Sequence, residues 1–318
     1  METKQLTWVI AHEPFHVFLR AAKEFSEKVA DGTNGRYSLR VMGLDEWNKE
    51  TGSNLSIHSS DREKVVSLVN SGSIDIATTY VETLGKLEKN MYSLGLPFLF
   101  QDHDHAEKVL DGNIGRNLFS WLESKTNLKG LAFTYSGGFR IIPSNRSIEK
   151  LEDFYDLSVG CSKSPVSSSM FEAVKAKPVQ MLVDEINQAM KEGRIDAGTT
   201  TYARFFARQQ HEVAKFINDT SHSLFLTSIV MNKDTWNAMS ADDQQAWKEA
   251  SLAAAKIERQ DSLADNVRVQ AEAKDYGIDT VVMADKERAR FASALKSIYP
   301  QYESFFENGL VADIKGAA

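Results

Sequence analysis

His12-Glu13-Pro14-Phe15-His16 spells H-E-x-x-H, a pattern in which two histidines one helical turn apart hold zinc while the glutamate between them serves as general base. That chemistry needs one continuous helix, so that both imidazoles share a face. Pro14 opposes it, because its ring disfavours helical geometry at Glu13 and leaves His12 outside the helix. The residues therefore favour a strand ending near His12, a helix starting near Phe15 and a connecting loop that lines a cleft. A zinc-dependent hydrolase using His12, Glu13 and His16 is the competing reading. Asp102, His103, Asp104 and His105 are also metal-ligand types, but neighbours at a helix start point in different directions, and a capped, solvated N-terminus accounts for them. Arg140 follows Gly137-Gly138-Phe139 in an apolar strand context, where a long cation needs a partner. That partner is either a ligand carboxylate gripped by paired N–H donors or an internal Asp or Glu. Ser164 to Ser169 have no recognisable base partner and read as a helix entry, and His222 reads as a surface loop residue. No P-loop, G-x-G-x-x-G or G-x-S-x-G pattern occurs, and no cofactor is expected.

A near repeat indicates how such groups are positioned. Gly72 to Thr79 reads G-S-I-D-I-A-T-T, and Gly193 to Thr200, inside the stretch Asp184 to Tyr202, reads G-R-I-D-A-G-T-T. Val65, Leu68 and Val69 precede the first copy, and Ile186, Ala189 and Met190 the second, at the spacing of one apolar helix face. Each glycine stands where a helix ends, since it adopts the left-handed conformation cheaply. The following Ile-Asp starts a short buried strand, and the Thr-Thr pair falls at its carboxyl edge, where open α/β sheets bind ligands. Two such edges imply two similar lobes facing one cleft.

Composition agrees. The chain has 318 residues, enough for two domains, and a dispersed net charge of −7 that argues against nucleic-acid or anionic-membrane binding. The single cysteine, Cys161, excludes an internal disulfide, and no apolar run reaches the roughly 20 residues of a membrane span. The N-terminal Met-Glu-Thr-Lys-Gln lacks a secretion signal, which leaves a cytosolic chain or a mature form without its leader. Strands alternate with helices throughout, predicting an α/β protein with largely parallel sheets. Gly43 to Ser60 reads as a long polar excursion holding Trp47, and Ser60-Asp-Arg-Glu63 as a capping box. Leu128 to Tyr135 reads as a strand, with Gly137-Gly138 loosening the entry to the next. Ser240-Ala-Asp-Asp243 caps a helix reaching Tyr276, roughly 50 Å long, that braces both lobes.

In order, the segments FSEKVADGTNGR, VNSGSIDIA, LPFLFQDHDHAEKVLDG, GGFR, LEDF, PVQMLVDEINQAMKEGRIDAG and MNKDTWNAMSADDQQAW resemble the solute-binding subunit of tripartite ATP-independent periplasmic (TRAP) transporters, the DctP-type family, from about Trp8 to Phe306. The resemblance implies a non-enzymatic, two-lobed periplasmic-binding-protein fold with a long helix spanning both lobes. Such a protein closes over a small organic acid in the periplasm and docks on TRAP membrane subunits, with no nucleic acid bound and no direct membrane insertion. A sensor role for a signalling partner uses the same fold. The expected lobes are 1–136 plus 226–258, and 137–225 plus 259–318. Arg140 matches the family's Arg in its G-F-R segment. Where the family has its principal carboxylate-binding Arg, in L-K-I-R-V-P, this chain has Leu157-Ser-Val-Gly160-Cys-Ser. Val183 stands for a ligand-packing Phe and Thr200 for an Asn, while first-lobe contacts fall near Ala11 to Phe15 and at Tyr80. The resemblance thus implies an atypical ligand, held by Arg140 with polar help from His12, Glu13, Tyr80, Thr200 and Tyr202. Lys163 is the nearest cation to replace the missing Arg, and Phe15 and Trp47 would form apolar walls.

Overall fold

The computed structural model describes residues 3–12, 15–56 and 61–317, without the side chains of His16 and Val17. Expectations that involve Glu13, the His16 side chain or Ser60 fall outside the described residues. Eleven strands occur among the described residues: β1 Lys4–Ile10, β2 Tyr37–Gly43, β3 Ile76–Tyr80, β4 Leu128–Phe139, β5 Ile142–Ser144, β6 Ser158–Cys161, β7 Lys177–Gln180, β8 Ala197–Gly198, β9 Phe216–Asp219, β10 Leu224–Asn232 and β11 Asp279–Val282. They form two sheets, ordered β2-β1-β3-β10-β4 and β11-β9-β5-β8-β6-β7. Neither is purely parallel. β10 runs antiparallel to β3, and β5 runs antiparallel to both β8 and β9.

The chain divides into two compact units. The first comprises Met1–Glu88, Glu107–Tyr135 and Leu226–Asp261, and the second Lys89–Ala106, Ser136–Phe225 and Ser262–Ala318. The reversed strands follow from this path: β10 starts in the second unit and ends in the first, and β5 follows β4, which passes from the first to the second. Lys89–Ala106, expected with the first lobe, belongs to the second unit. There Tyr299 Oη donates to the Pro97 carbonyl (2.7 Å), Phe98 N to the His222 carbonyl (2.7 Å), and Glu307 N to Asn90 Oδ1 (2.7 Å).

The first unit's core gathers Trp8 of β1, Phe25 of the helix Phe15–Gly32 and Trp247 of the helix Ala241–Asp275. Phe25 meets each tryptophan edge-on, at 5.4 and 5.5 Å between ring centres. Ile141, Ile186, Tyr202, Phe205, Ile217 and Val269 belong to the second unit's core. Complete burial of such side chains stabilises by about 1.5–3 kcal/mol each.

The repeat folds the same way in both units. Gly72 (φ 81°) and Gly193 (φ 68°) both end their helices in the left-handed conformation. The next residue then donates to the carbonyl five positions back, Ser73 N to Leu68 O (2.9 Å) and Arg194 N to Ala189 O (2.8 Å). In each copy the Asp carboxylate accepts the backbone N–H of a neighbouring strand segment: Asp75 from Thr7 (2.9 Å) and Asp196 from Ser158 (2.8 Å).

Two local expectations change. The excursion after Gly43 is mostly the helix Leu44–Thr51, closed by Gly52 and by reciprocal bonds between the Asn48 amide and the Leu55 backbone. Gly137 and Gly138, at φ 90° and 81°, do not break the chain between two strands, because β4 continues through both.

Ser240 caps the 35-residue helix Ala241–Asp275, its Oγ accepting the Asp243 N–H (3.1 Å). This helix serves β4, an edge strand. In the first unit Ser251 Oγ donates to Leu131 O (3.3 Å), Arg259 Nη2 to Phe133 O (3.0 Å), and Glu258 Oε2 accepts from Tyr135 N (2.5 Å). In the second, Ser262 Oγ accepts from Gly137 N (3.3 Å). Arg259 is buried and also grips Asp111 with two N–H groups. Arg259→Met strands both the Asp111 charge and the Phe133 carbonyl. It is expected to cost about 3 kcal/mol in urea unfolding followed by circular dichroism, against less than about 1 kcal/mol for an exposed control such as Lys23→Met.

Candidate functional site

Arg140 emerges directly after β4, its N–H donating to the Ser223 carbonyl (2.9 Å). The next residue, Ile141, exchanges both backbone bonds with Thr200 (2.8 and 3.1 Å), so the loop after β4 is fastened beside the end of the second repeat. The Arg140 guanidinium carbon lies 3.7 Å from the centre of the Phe225 ring, and the side chain is buried at 8% exposure. A second cation shares that ring. Arg204, on the short helix Tyr202–Ala207, has its guanidinium carbon 5.4 Å from the same centre and is wholly buried. Arg204 Nη1 reaches Ser136 Oγ (3.5 Å), while Thr201 Oγ1 donates to the Ser136 carbonyl (2.6 Å). Thr200 Oγ1 is buried with no hydrogen-bond partner among the described residues. Sequence reasoning missed Arg204, although Tyr-Ala-Arg-Phe-Phe sets it in the same kind of apolar run that singled out Arg140.

His222 is fully buried, contrary to its expected place in a surface loop. Its Nδ1 bonds Thr220 Oγ1 (2.7 Å), and Arg288 holds the Thr220 carbonyl (2.9 Å), an arrangement that depends on residues distant in sequence. Burial, aided by the charges of Arg140 and Arg288, pushes its pKa down to about 3.

The other second-unit candidates are placed unevenly. Tyr202 is buried in the core and its hydroxyl donates to Asp219 (3.1 Å), with burial first and the carboxylate second raising its pKa. Val183 is half-buried against the same core, and Lys163 is exposed just past β6. A Cβ on Gly160 would lie 2.8 Å from Ile195 Cδ1, 3.2 Å from Met181 Sδ and 3.3 Å from Ile186 Cγ1, so apolar side chains fill the space an arginine would occupy.

In the first unit, the buried His12 ring packs 4.7 Å from Phe18 and 4.7 Å from Tyr80. Tyr80 Oη accepts from Arg62 (3.2 Å), whose guanidinium also covers the ring at 5.2 Å. Phe15 packs on the core beside Gly43, and the half-buried Trp47 has an Nε1 without a partner among the described residues. His12 stands outside any helix, after β1, and the helix Phe15–Gly32 is described from Phe15; the zinc reading also needs Glu13 and the His16 side chain, which lie outside the described residues. No three His, Cys, Asp or Glu gather around a metal position among the described residues. Asp102 does cap its helix, accepting from His105 N (2.8 Å), but His105 is buried rather than solvated, with Nε2 2.7 Å from the Ile314 carbonyl. A separate first-unit groove of about 590 Å³ is lined by Lys86, Lys125 and Lys233, each already engaged by Glu63, Glu88 or backbone carbonyls.

Residues 10–305 match the family described as bacterial extracellular solute-binding protein, family 7, or DctP. The chain belongs to this family. It is 27% identical over 275 residues to the 2,3-diketo-L-gulonate-binding periplasmic protein YiaO of Escherichia coli, covering 86% of this chain and 79% of that protein. It is 24% identical to the C4-dicarboxylate-binding periplasmic protein DctP of Rhodobacter capsulatus, over 94% and 86% of the two chains. The fold is that of TRAP periplasmic solute-binding proteins. One from Chromohalobacter salexigens with bound D-glucuronate superposes with a TM-score of 0.84 at 24% identity, over 98% of this chain and 100% of that one. This DctP-family member is thus a two-unit transport-type binding protein, the family implies an extracytoplasmic location, and no helix of its described residues is long and apolar enough to cross a membrane.

Two outcomes are expected. Gly160→Arg, which would restore the family's cation, should instead destabilise the protein by about 1–3 kcal/mol through overpacking, read as a lowered Tm. His222 is neutral in the folded chain but takes a proton near pH 6.5 once unfolded. Stability should be complete above that pH and fall by up to about 1.4 kcal/mol per unit below it. His222→Asn should flatten this slope between pH 6.5 and 5 in urea titrations.

Proposed function

We propose that this DctP-family protein captures a small organic acid outside the cytoplasm by closing its two units over it, then delivers it to TRAP membrane subunits. No chemistry is performed on the ligand: binding shifts the population from open to closed forms. The observation that carries this reading is Arg140, a nearly buried guanidinium laid on the Phe225 ring and fastened next to the end of the second Gly-x-Ile-Asp repeat. A planar guanidinium is the group type that grips a carboxylate through paired N–H donors. Relatives named for binding diketogulonate or C4-dicarboxylates, and a fold neighbour holding glucuronate, support the same ligand class. The ligand is held atypically, because position 160 offers no side chain and its surroundings are apolar. We place the first-unit contacts at His12 and Tyr80, with Phe15 and Trp47 as walls and Glu13 outside the described residues, and Thr200 Oγ1, which has no partner among the described residues, would meet a ligand hydroxyl.

Calorimetric titration with D-glucuronate, D-galacturonate, D-erythronate and succinate tests the reading. At least one acid should bind at micromolar concentration or tighter, and Arg140→Gln should weaken it by about 100-fold. If none binds while the protein takes up one zinc that chelation removes, the hydrolase reading replaces it.

A further inference from the structure

The turn that leads into β10 holds its backbone in an uncommon shape. Ser221 lies at φ 43°, in the left-handed region that glycine normally fills, and Phe98, whose N–H donates to the His222 carbonyl (2.7 Å), lies at φ 51°. Such conformations cost free energy and persist only where surrounding contacts impose them. Here the imidazole of His222 is hydrogen-bonded through Nδ1 to Thr220 Oγ1 (2.7 Å), a bridge that spans Ser221 from one side to the other. Ser221 Oγ donates to Asp219 Oδ1 (2.7 Å). Arg288 Nη1 donates to the Thr220 carbonyl (2.9 Å), and its guanidinium carbon lies 5.3 Å from the centre of the Phe98 ring. The turn so fixed presents two consecutive carbonyls: that of His222 receives the Phe98 N–H, and that of Ser223 receives the Arg140 N–H (2.9 Å).

His222 fills its position at a cost in stability. The ring is fully buried and meets Phe171 edge-on at 5.9 Å, and its Nε2 has no hydrogen-bond partner among the described residues. A leucine or phenylalanine would pack there without leaving a ring nitrogen bare. What either would lose is the bond to Thr220, and with it the clasp over Ser221.

We propose that His222 is a positioning residue for Arg140: its bond to Thr220 clasps the left-handed turn at Ser221, and that turn holds the Arg140 backbone through the Ser223 carbonyl. The inference rests on the reading of Arg140 as a carboxylate clamp and adds the group that fixes where the clamp starts. His222 acts through Arg140 rather than on the ligand, so its effect on affinity exists only while Arg140 is present.

A double-mutant cycle tests this. Wild type, His222→Leu, Arg140→Gln and the double variant, each confirmed folded by circular dichroism, are titrated calorimetrically with whichever of the four acids above binds wild type most tightly. His222→Leu should weaken binding about tenfold in the wild-type background and less than about twofold in the Arg140→Gln background. An equal loss in both backgrounds overturns the proposal, because a residue that merely stabilises its unit acts whether or not Arg140 is present. Unchanged affinity in His222→Leu overturns it too, and either result leaves the organic-acid reading standing. Should His222→Leu fail to fold, Thr220→Val, which removes the partner of Nδ1 at nearly constant volume, takes its place in the cycle with the same expectations. If none of the four acids binds wild type, the organic-acid reading fails first and this inference falls with it.

Discussion

The rest of the structure depends on the unpaired edge of β4. A strand at the margin of a sheet carries peptide groups that no neighbouring strand satisfies, and leaving them buried and bare costs more than the bonds themselves contribute. Here a single helix supplies the partners. Ser251, Glu258 and Arg259 meet Leu131, Tyr135 and Phe133 in the first unit, and Ser262 meets Gly137 in the second. Glu258 and Arg259 are adjacent, fully buried and of opposite charge, so the helix brings one acceptor and one donor to alternate peptides of the strand. Such buried ions are tolerable only when every lone pair and proton finds a partner, which fixes the helix lengthwise against the strand. Arg140 begins one residue after that strand ends, so its position is inherited from the same fastening.

The cation pair on Phe225 shows a different balance. Burying a guanidinium is expensive in isolation, and an aromatic face returns part of that cost through its quadrupole while fixing the plane of the donors. His222 stays neutral far below its usual range, first because it is fully buried and then because the charges of Arg140 and Arg288 oppose its protonation.

Much of the fold could be read from local chemistry. Gly72 and Gly193 announce left-handed helix ends, and Ser240 signals the start of the long helix, all through interactions within a few residues. The misreadings share one cause. His222 and His105 look like surface residues because the groups that enclose them, Arg288 and the Ile314 carbonyl, are distant in sequence. The reversed strands β10 and β5 follow from the path of the chain between units, which periodicity does not record. Of the candidate site, Arg140 was legible as a cation out of place, whereas the nearness of Arg204 shows only once Phe225 joins the two.

The order in which segments enter the two units has a consequence for biogenesis. The first unit takes residues from three separated stretches, the last of them Leu226–Asp261, and the second is interleaved with it and ends at the C-terminus. A nascent polypeptide therefore cannot finish either body while the ribosome is still making the middle of the message. Trp8 and Phe25 wait for Trp247, more than two hundred residues behind them. Completion of either unit is correspondingly a late event that needs the last third of the chain.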